Sequence, residues 1–200
     1  MVPGLIGGAD WAGAAADPKR SVLYVPSHTL PSVARLGPSH GRHSRYAAYT
    51  DERVRGPRGL PLTKPPYGRI TAIDMRTGDH LWVRALGSGP VNHPALQGLD
   101  MPDLGWGVRS FVLATPTLLL AASQDPREDG GRYGRKRRDS TWIEAEPLLR
   151  AFSPHTGEPV GQVLLPDNPH GNLMSYMVAG RQYIAVSYTH LRAHETHENR

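Results

Sequence analysis

Ile70-Thr71-Ala72-Ile73-Asp74-Met75-Arg76-Thr77-Gly78-Asp79-His80-Leu81-Trp82 decides the fold, because a second stretch echoes it. That echo is Leu149-Arg150-Ala151-Phe152-Ser153-Pro154-His155-Thr156-Gly157-Glu158-Pro159-Val160. In each, an apolar-rich segment runs into Thr-Gly and a further strand follows. Ile70, Ala72 and Asp74 alternate with Thr71 and Ile73, the period of two expected of a strand packed on both faces. Gly78 and Gly157 supply the positive φ of a short hairpin, and each preceding Thr hydroxyl can bond back to the turn.

Working outward, each hairpin has an earlier strand pair before it. Ala12–Ala16 and Ser21–Pro26 flank the turn Asp17-Pro18-Lys19-Arg20, and Val112–Thr115 and Leu118–Ser123 flank a short turn at Pro116. A third pair, Met174–Val178 and Gln182–Val186, turns at Ala179-Gly180-Arg181. The sequence therefore predicts an all-β chain of two four-stranded units and half of a third, a partial β-propeller of about two and a half blades. Long polar insertions, from about His28 to Pro66 and from about Gln124 to Glu146, are expected as loops within the two complete units. Two and a half blades cannot close a ring. The open faces are expected to expose apolar surface and make the isolated chain poorly soluble.

Composition narrows the function classes. Of 200 residues, 38% are hydrophobic, and Gly 22 with Pro 19 suits many turns between short strands. No apolar run approaches the ~20 residues of a membrane helix. The absence of Cys excludes disulfides, thiolate metal sites and covalent c-type haem attachment within this stretch. The net charge of +5 is concentrated in Arg35–Arg58 and Arg132–Arg138. With little aromatic interleaving and no recognisable module, these segments read as solvated insertions, so no nucleic-acid partner is expected. Met1-Val-Pro-Gly4 shows no secretory signal and is read as internal to a longer frame.

Pro66–Trp82 resembles the tryptophan-docking motif of PQQ-dependent (quinoprotein) dehydrogenases, Ala-x-Asp-x-x-Thr-Gly-x-x-x-Trp, through Ala72, Asp74, Thr77, Gly78 and Trp82. The second repeat departs from it, with Ser153 for the Asp and Val160 read in place of the Trp. Asn92–Leu99 and Ser175–Ile184 resemble segments of the membrane glucose-dehydrogenase-like branch, the latter its last blade. The resemblance implies that residues 1–185 are the C-terminal part of an eight-bladed propeller in which the Trp packs flat between blades. Gly7-Gly8-Ala9-Asp10-Trp11 resembles the Gly-Gly-x-Asn-Trp stretch beside the quinone, which implies Asp10 and Trp11 as cofactor-binding residues. Asp10 replaces the family's Asn, and an ionised carboxylate cannot donate a hydrogen bond. It would have to bind a cation or sit protonated. The other reading is that Asp10 caps a turn and Trp11 is inter-blade core.

For the parent protein the resemblance implies oxidation of a sugar or alcohol by hydride transfer to PQQ, with Ca²⁺ or Mg²⁺ polarising the quinone. Electrons would pass to a quinone acceptor at the periplasmic face of the inner membrane, and whether a membrane anchor lies upstream stays open. The family's catalytic base and cofactor-contacting Lys precede Gly7–Trp11. No catalytic or metal-binding residue is therefore assigned, and the chain alone is expected to be inactive. Two other classes compete: a non-catalytic propeller scaffold for partner proteins, against which Gly7–Trp11 speaks, and an acidic-polymer binder acting through Arg132–Arg138. Val186–Arg200 is read as a translated sequencing adapter outside the propeller. Its His190, His194 and His197 fall at i, i+4 and i+7 and mimic a metal face, and are set aside for that reason. Among the other histidines, His93 is read as a capping residue more than as a ligand.

Overall fold

The computed structural model describes residues 1–4, 8–9, 12–39, 44–51, 54–124 and 147–188. Its first blade is an antiparallel sheet of β1 (Ala15–Asp17), β2 (Val22–His28), β5 (Gly68–Asp74) and β6 (His80–Ala85), in that order. The second is made of β7 (Ser110–Ala114), β8 (Leu119–Ser123), β9 (Leu148–Phe152) and β10 (Pro159–Leu164). A third unit consists of the pair β11 (Met174–Val178) and β12 (Arg181–Ala185). These are the two full blades and the half blade expected from the repeat.

Period-two alternation builds both blade interfaces. Val22, Tyr24, Ile70 and Ala72 of blade 1 share one core with Val112, Leu119, Ala121 and Phe152 of blade 2. The intervening residues of blade 2, Phe111, Leu120 and Ala122, form a second core with Leu165 and Leu173, against which Ile184 packs. β7 and β8 of blade 2 thus feed two interfaces in turn, which explains why β8 reads as the unbroken apolar run Leu-Leu-Ala-Ala. Burying each of the Val, Leu, Ile and Phe side chains stabilises by about 1.5–3 kcal/mol.

The Thr-Gly turns repeat in detail. Gly78 N donates to Asp74 O at 2.7 Å and Asp79 N to Thr77 Oγ1 at 3.2 Å. In the echo, Gly157 N donates to Ser153 O at 2.9 Å and Glu158 N to Thr156 Oγ1 at 3.2 Å. Both glycines take positive φ, 83° and 68°.

The register corrects one correspondence. Ala72 pairs with Trp82, and a bulge leaves Leu81 without a partner before Ile73 meets His80. In blade 2, Ala151 pairs with Gly161, and the same bulge sets Val160 aside. The residue at the tryptophan position is therefore Gly161 and not Val160. Counting from the turn agrees, since Trp82 stands four residues after Gly78 and Gly161 four after Gly157.

The first insertion also differs from a plain loop. It folds back as a hairpin of β3 (Val33–Pro38) and β4 (Tyr46–Asp51), paired with each other and with no other strand. Its side chains are mostly exposed, so it had no buried face to betray it in the pattern. Smaller shifts occur at strand ends. β1 spans only Ala15–Asp17, and Ser21 belongs to the turn, with φ 56°. Beyond Gln124 the second insertion lies outside the described residues.

Beyond β12, Val186 and Tyr188 pack against the second core, and His170 N donates to Ser187 O at 3.0 Å. Residues 189–200, with the three spaced histidines, lie outside the described residues.

Candidate functional site

Asp10 and Trp11 lie outside the described residues, so the site is built from what flanks them. His28 N, at the end of β2, donates to Gly8 O at 2.8 Å. The Met1 ammonium donates to Ser32 O at 3.1 Å, and Ser32 N returns a bond to Met1 O at 3.2 Å. Gly4 sits so close to this turn that a Cβ would lie 2.4 Å from both Leu30 O and Ser32 Oγ. On the other side, Ala12 is buried with Phe111 and Leu120 of blade 2. Gly8 is thus tied to blade 1, and Ala12, three residues before β1, packs toward blade 2.

Buried polar residues gather at the same strand ends. Ser110 Oγ donates to Ser123 Oγ at 3.3 Å, and Gln124 Nε2 donates to Pro169 O at 3.0 Å. His93 Nδ1 accepts from Ala95 N at 3.0 Å and caps the short 3₁₀ turn Pro94–Leu96, the role expected of it. The loop carrying this turn is tied back at its base, with Leu104 N to Ser88 O at 2.8 Å and Trp106 N to Leu86 O at 2.9 Å. Arg150, on β9, points toward Gly87 of that loop, its Nη2 3.5 Å from where a Cβ would stand. Burial lowers the Arg150 pKa, and the charge of Asp103 opposes the shift. Among the described residues no group of His, Asp and Glu numbers the three that a metal ion would need.

The best-defined constellation in the described residues joins the blades. Trp82 Nε1 donates to Pro154 O at 3.2 Å, and Tyr24 OH donates to the same oxygen at 3.1 Å. The two rings lie 5.8 Å apart, and a Cβ on Gly157 would come within 2.7 Å of the indole. The glycine of the second turn therefore serves twice, for its φ and for the ring that lies against it. Arg84 Nε donates to Gly157 O at 3.0 Å, and its Nη2 pairs with Glu158. Neither Tyr24 nor Arg84 stood out in the sequence; only their even spacing from Val22 and Trp82 marks them as facing the next blade.

Asp74 acts inside its own blade. Its carboxylate takes the backbone N of Arg76 at 2.8 Å and the guanidinium at 3.0 and 2.6 Å. The Arg76 side-chain bonds hold its pKa at about 2, below the ordinary 3.8. A carboxylate depressed in this way contributes stability that is complete above 3.8 and is lost as pH falls toward about 2. Asp74→Asn is therefore expected to lower the urea midpoint at neutral pH and to converge on the parent chain in acid. A constant gap at every pH would refute this assignment.

At the opposite strand ends, a groove of about 430 Å³ opens between the β1–β2 and β7–β8 turns, lined by Asp17, Lys19, Arg20, Thr115 and Pro116. Arg20 is committed there, to Asp17 at 2.5 Å and to Pro116 O at 3.1 Å. The groove is a seam between blades.

Two stacked four-stranded antiparallel blades with the Trp82 indole laid across their join have the architecture of a β-propeller. Residues 1–184 match the model of the PQQ glucose/ethanol/alcohol dehydrogenase β-propeller domain, and the chain belongs to this family. It is 26% identical to quinoprotein glucose dehydrogenase of Escherichia coli (strain K12), across 94% of this chain and 24% of that protein. It is 28% identical to quinate/shikimate dehydrogenase (quinone) of Acinetobacter baylyi, across 92% of this chain and 24% of the relative. Among solved structures, a europium-containing methanol dehydrogenase superposes with TM-score 0.58 at 18% identity, over 92% of this chain and 25% of that one. Quinohemoprotein alcohol dehydrogenase from Comamonas testosteroni gives 0.54 at 18% identity, over 92% of this chain and 22% of that one. The chain thus spans about a quarter of the length of its curated relatives.

Proposed function

We propose that this chain is the C-terminal set of blades of a quinoprotein that oxidises a sugar or alcohol hydroxyl by hydride transfer to PQQ and passes the electrons to a quinone. The match of residues 1–184 to the family's propeller domain carries this reading. Asp10 and Trp11 are its cofactor-contacting residues, with Trp11 presenting an aromatic face and Asp10 a carboxylate where the family motif has Asn. PQQ, when bound, would supply the two-electron acceptor, and a Ca²⁺ or Mg²⁺ ion held by residues outside this chain would polarise it. The catalytic base also lies outside this chain, so these blades supply enclosure and stacking. The parent protein works at the periplasmic face of the inner membrane, and the chain by itself is inactive.

The test is dye reduction by the full-length protein encoded at the same locus, reconstituted with PQQ and either metal, on aldose and alcohol substrates. Activity that requires PQQ and falls steeply in Trp11→Ala supports the proposal. A full-length protein that neither binds PQQ nor reduces dye is a scaffold, and the proposal is then wrong. Sequencing the source DNA across both ends decides the status of residues 186–200. Continuation past Ala185 into a further strand of blade 3 supports the adapter reading, and a genomic Val186–Arg200 overturns it.

A further inference from the structure

The β3–β4 hairpin leaves blade 1 between β2 and β5 and carries apolar residues on both faces, Val33 and Ala47 on one and Leu36 and Ala48 on the other. Cross-strand pairs Leu36↔Ala48 and Pro38↔Tyr46 set one face, with Ala34, as an apolar strip. All five of these residues are exposed, Leu36 by 77% and Tyr46 by 57%. The other face carries Arg35 beside Tyr49, the guanidinium 5.6 Å from the ring centre. Arg45 sits 5.7 Å from the Tyr46 ring, at the edge of the apolar strip. Neither Arg35 nor Arg45 makes an ion pair among the described residues. From Val33 to Asp51 the sequence holds a single acid, Asp51, at the base of the hairpin.

We propose that this hairpin is a docking arm for an anionic lipid bilayer surface. Two six-residue strands present about 20 by 10 Å, roughly a quarter of the ~800 Å² per partner that a stable protein interface needs. A bilayer sets no such threshold. A few apolar side chains entering the headgroup region, with cations at the level of the phosphates, suffice for reversible binding. Tyrosine suits that boundary, having an apolar ring and a polar tip. Arginine suits it as well, because its stem lies along apolar surface while its head reaches phosphate. The arm supplies all three at once, where the net charge of +5 already favours an anionic surface. This inference does not depend on PQQ chemistry.

The experiment is co-sedimentation of the full chain with vesicles of phosphatidylcholine alone and of phosphatidylcholine mixed with phosphatidylglycerol. Binding to the mixed vesicles is expected to fall as salt is raised. Leu36→Asp should weaken it about tenfold, and Arg35→Gln and Arg45→Gln roughly fivefold each. Val163→Asp, at a 63% exposed apolar position on β10, serves as the control and should leave binding unchanged. Because Leu36 is so exposed, the variants keep their fold, which far-UV circular dichroism checks. Equal binding to both vesicle types overturns the proposal. So does a Val163→Asp loss matching that of Leu36→Asp, which would place binding on the open blade faces. Failure to bind mixed vesicles also overturns it.

Discussion

Trp82→Ala is expected to destabilise the chain by about 2–4 kcal/mol, the largest loss from any single side chain between blades 1 and 2. The indole contributes in three ways. It covers Gly157, packs on the shared core of Tyr24, Ile70, Ala72 and Phe152, and donates to Pro154 O. Truncation removes the ring's contacts and leaves a gap that Tyr24 cannot fill, since its own hydroxyl is fixed on the same carbonyl. Trp82→Phe should keep most of the packing and lose about 1 kcal/mol, the worth of one hydrogen bond. Gly161 is the control, since it holds the equivalent register position in blade 2 and meets nothing within 4 Å. Gly161→Ala should shift the midpoint within about 0.5 kcal/mol. Urea unfolding followed by far-UV circular dichroism reads all three. If Trp82→Ala is as mild as Gly161→Ala, the blades are held by their aliphatic cores alone.

The propeller was legible because each blade repeats two local rules: apolar alternation and a Thr-Gly turn. Ile70, Ala72, Gly78 and Gly157 obey both, and the register bears them out. The rest was hidden for physical reasons. At the tryptophan position blade 2 holds Gly161, four residues after Gly157 as Trp82 is after Gly78, so the expectation that Val160 stood there was one residue short. The β3–β4 arm buries almost nothing, so no core-facing stripe marked its strands among the polar residues of the insertion. The backbone bonds that seat Gly8 against His28 involve no side-chain signature at all. For the cofactor contacts the motif spoke for Asp10 and Trp11, while the described structure fixes only their neighbours. A local motif carries chemistry in its residue types, whereas the geometry that aims them is set by distant parts of the chain.

Gly105→Ala is expected to cost more than about 3 kcal/mol or to prevent folding outright. Gly105 has φ 72°, and a Cβ there would stand 2.0 Å from Gly68 O. That clash is with backbone, which cannot swing aside as a side chain tip does. Reciprocally, a Cβ on Gly68 would lie 1.8 Å from Trp106 O. The two glycines let residues 104–106 lie flat on the start of β5 and on residues 86–88, an approach secured by Tyr67 N to Leu104 O at 2.7 Å and Gly105 N to Gly87 O at 2.9 Å. This crossing leads into β7 and so sets where blade 2 begins. Gly98 separates the two causes, because it has φ 79° with nothing within 4 Å. Gly98→Ala therefore carries only the left-handed backbone cost, about 1–2 kcal/mol. A thermal melt that ranks Gly105→Ala far below Gly98→Ala establishes the close crossing as the constraint. Equal losses would mean that backbone conformation alone selects glycine at both positions, and that the crossing has room to open.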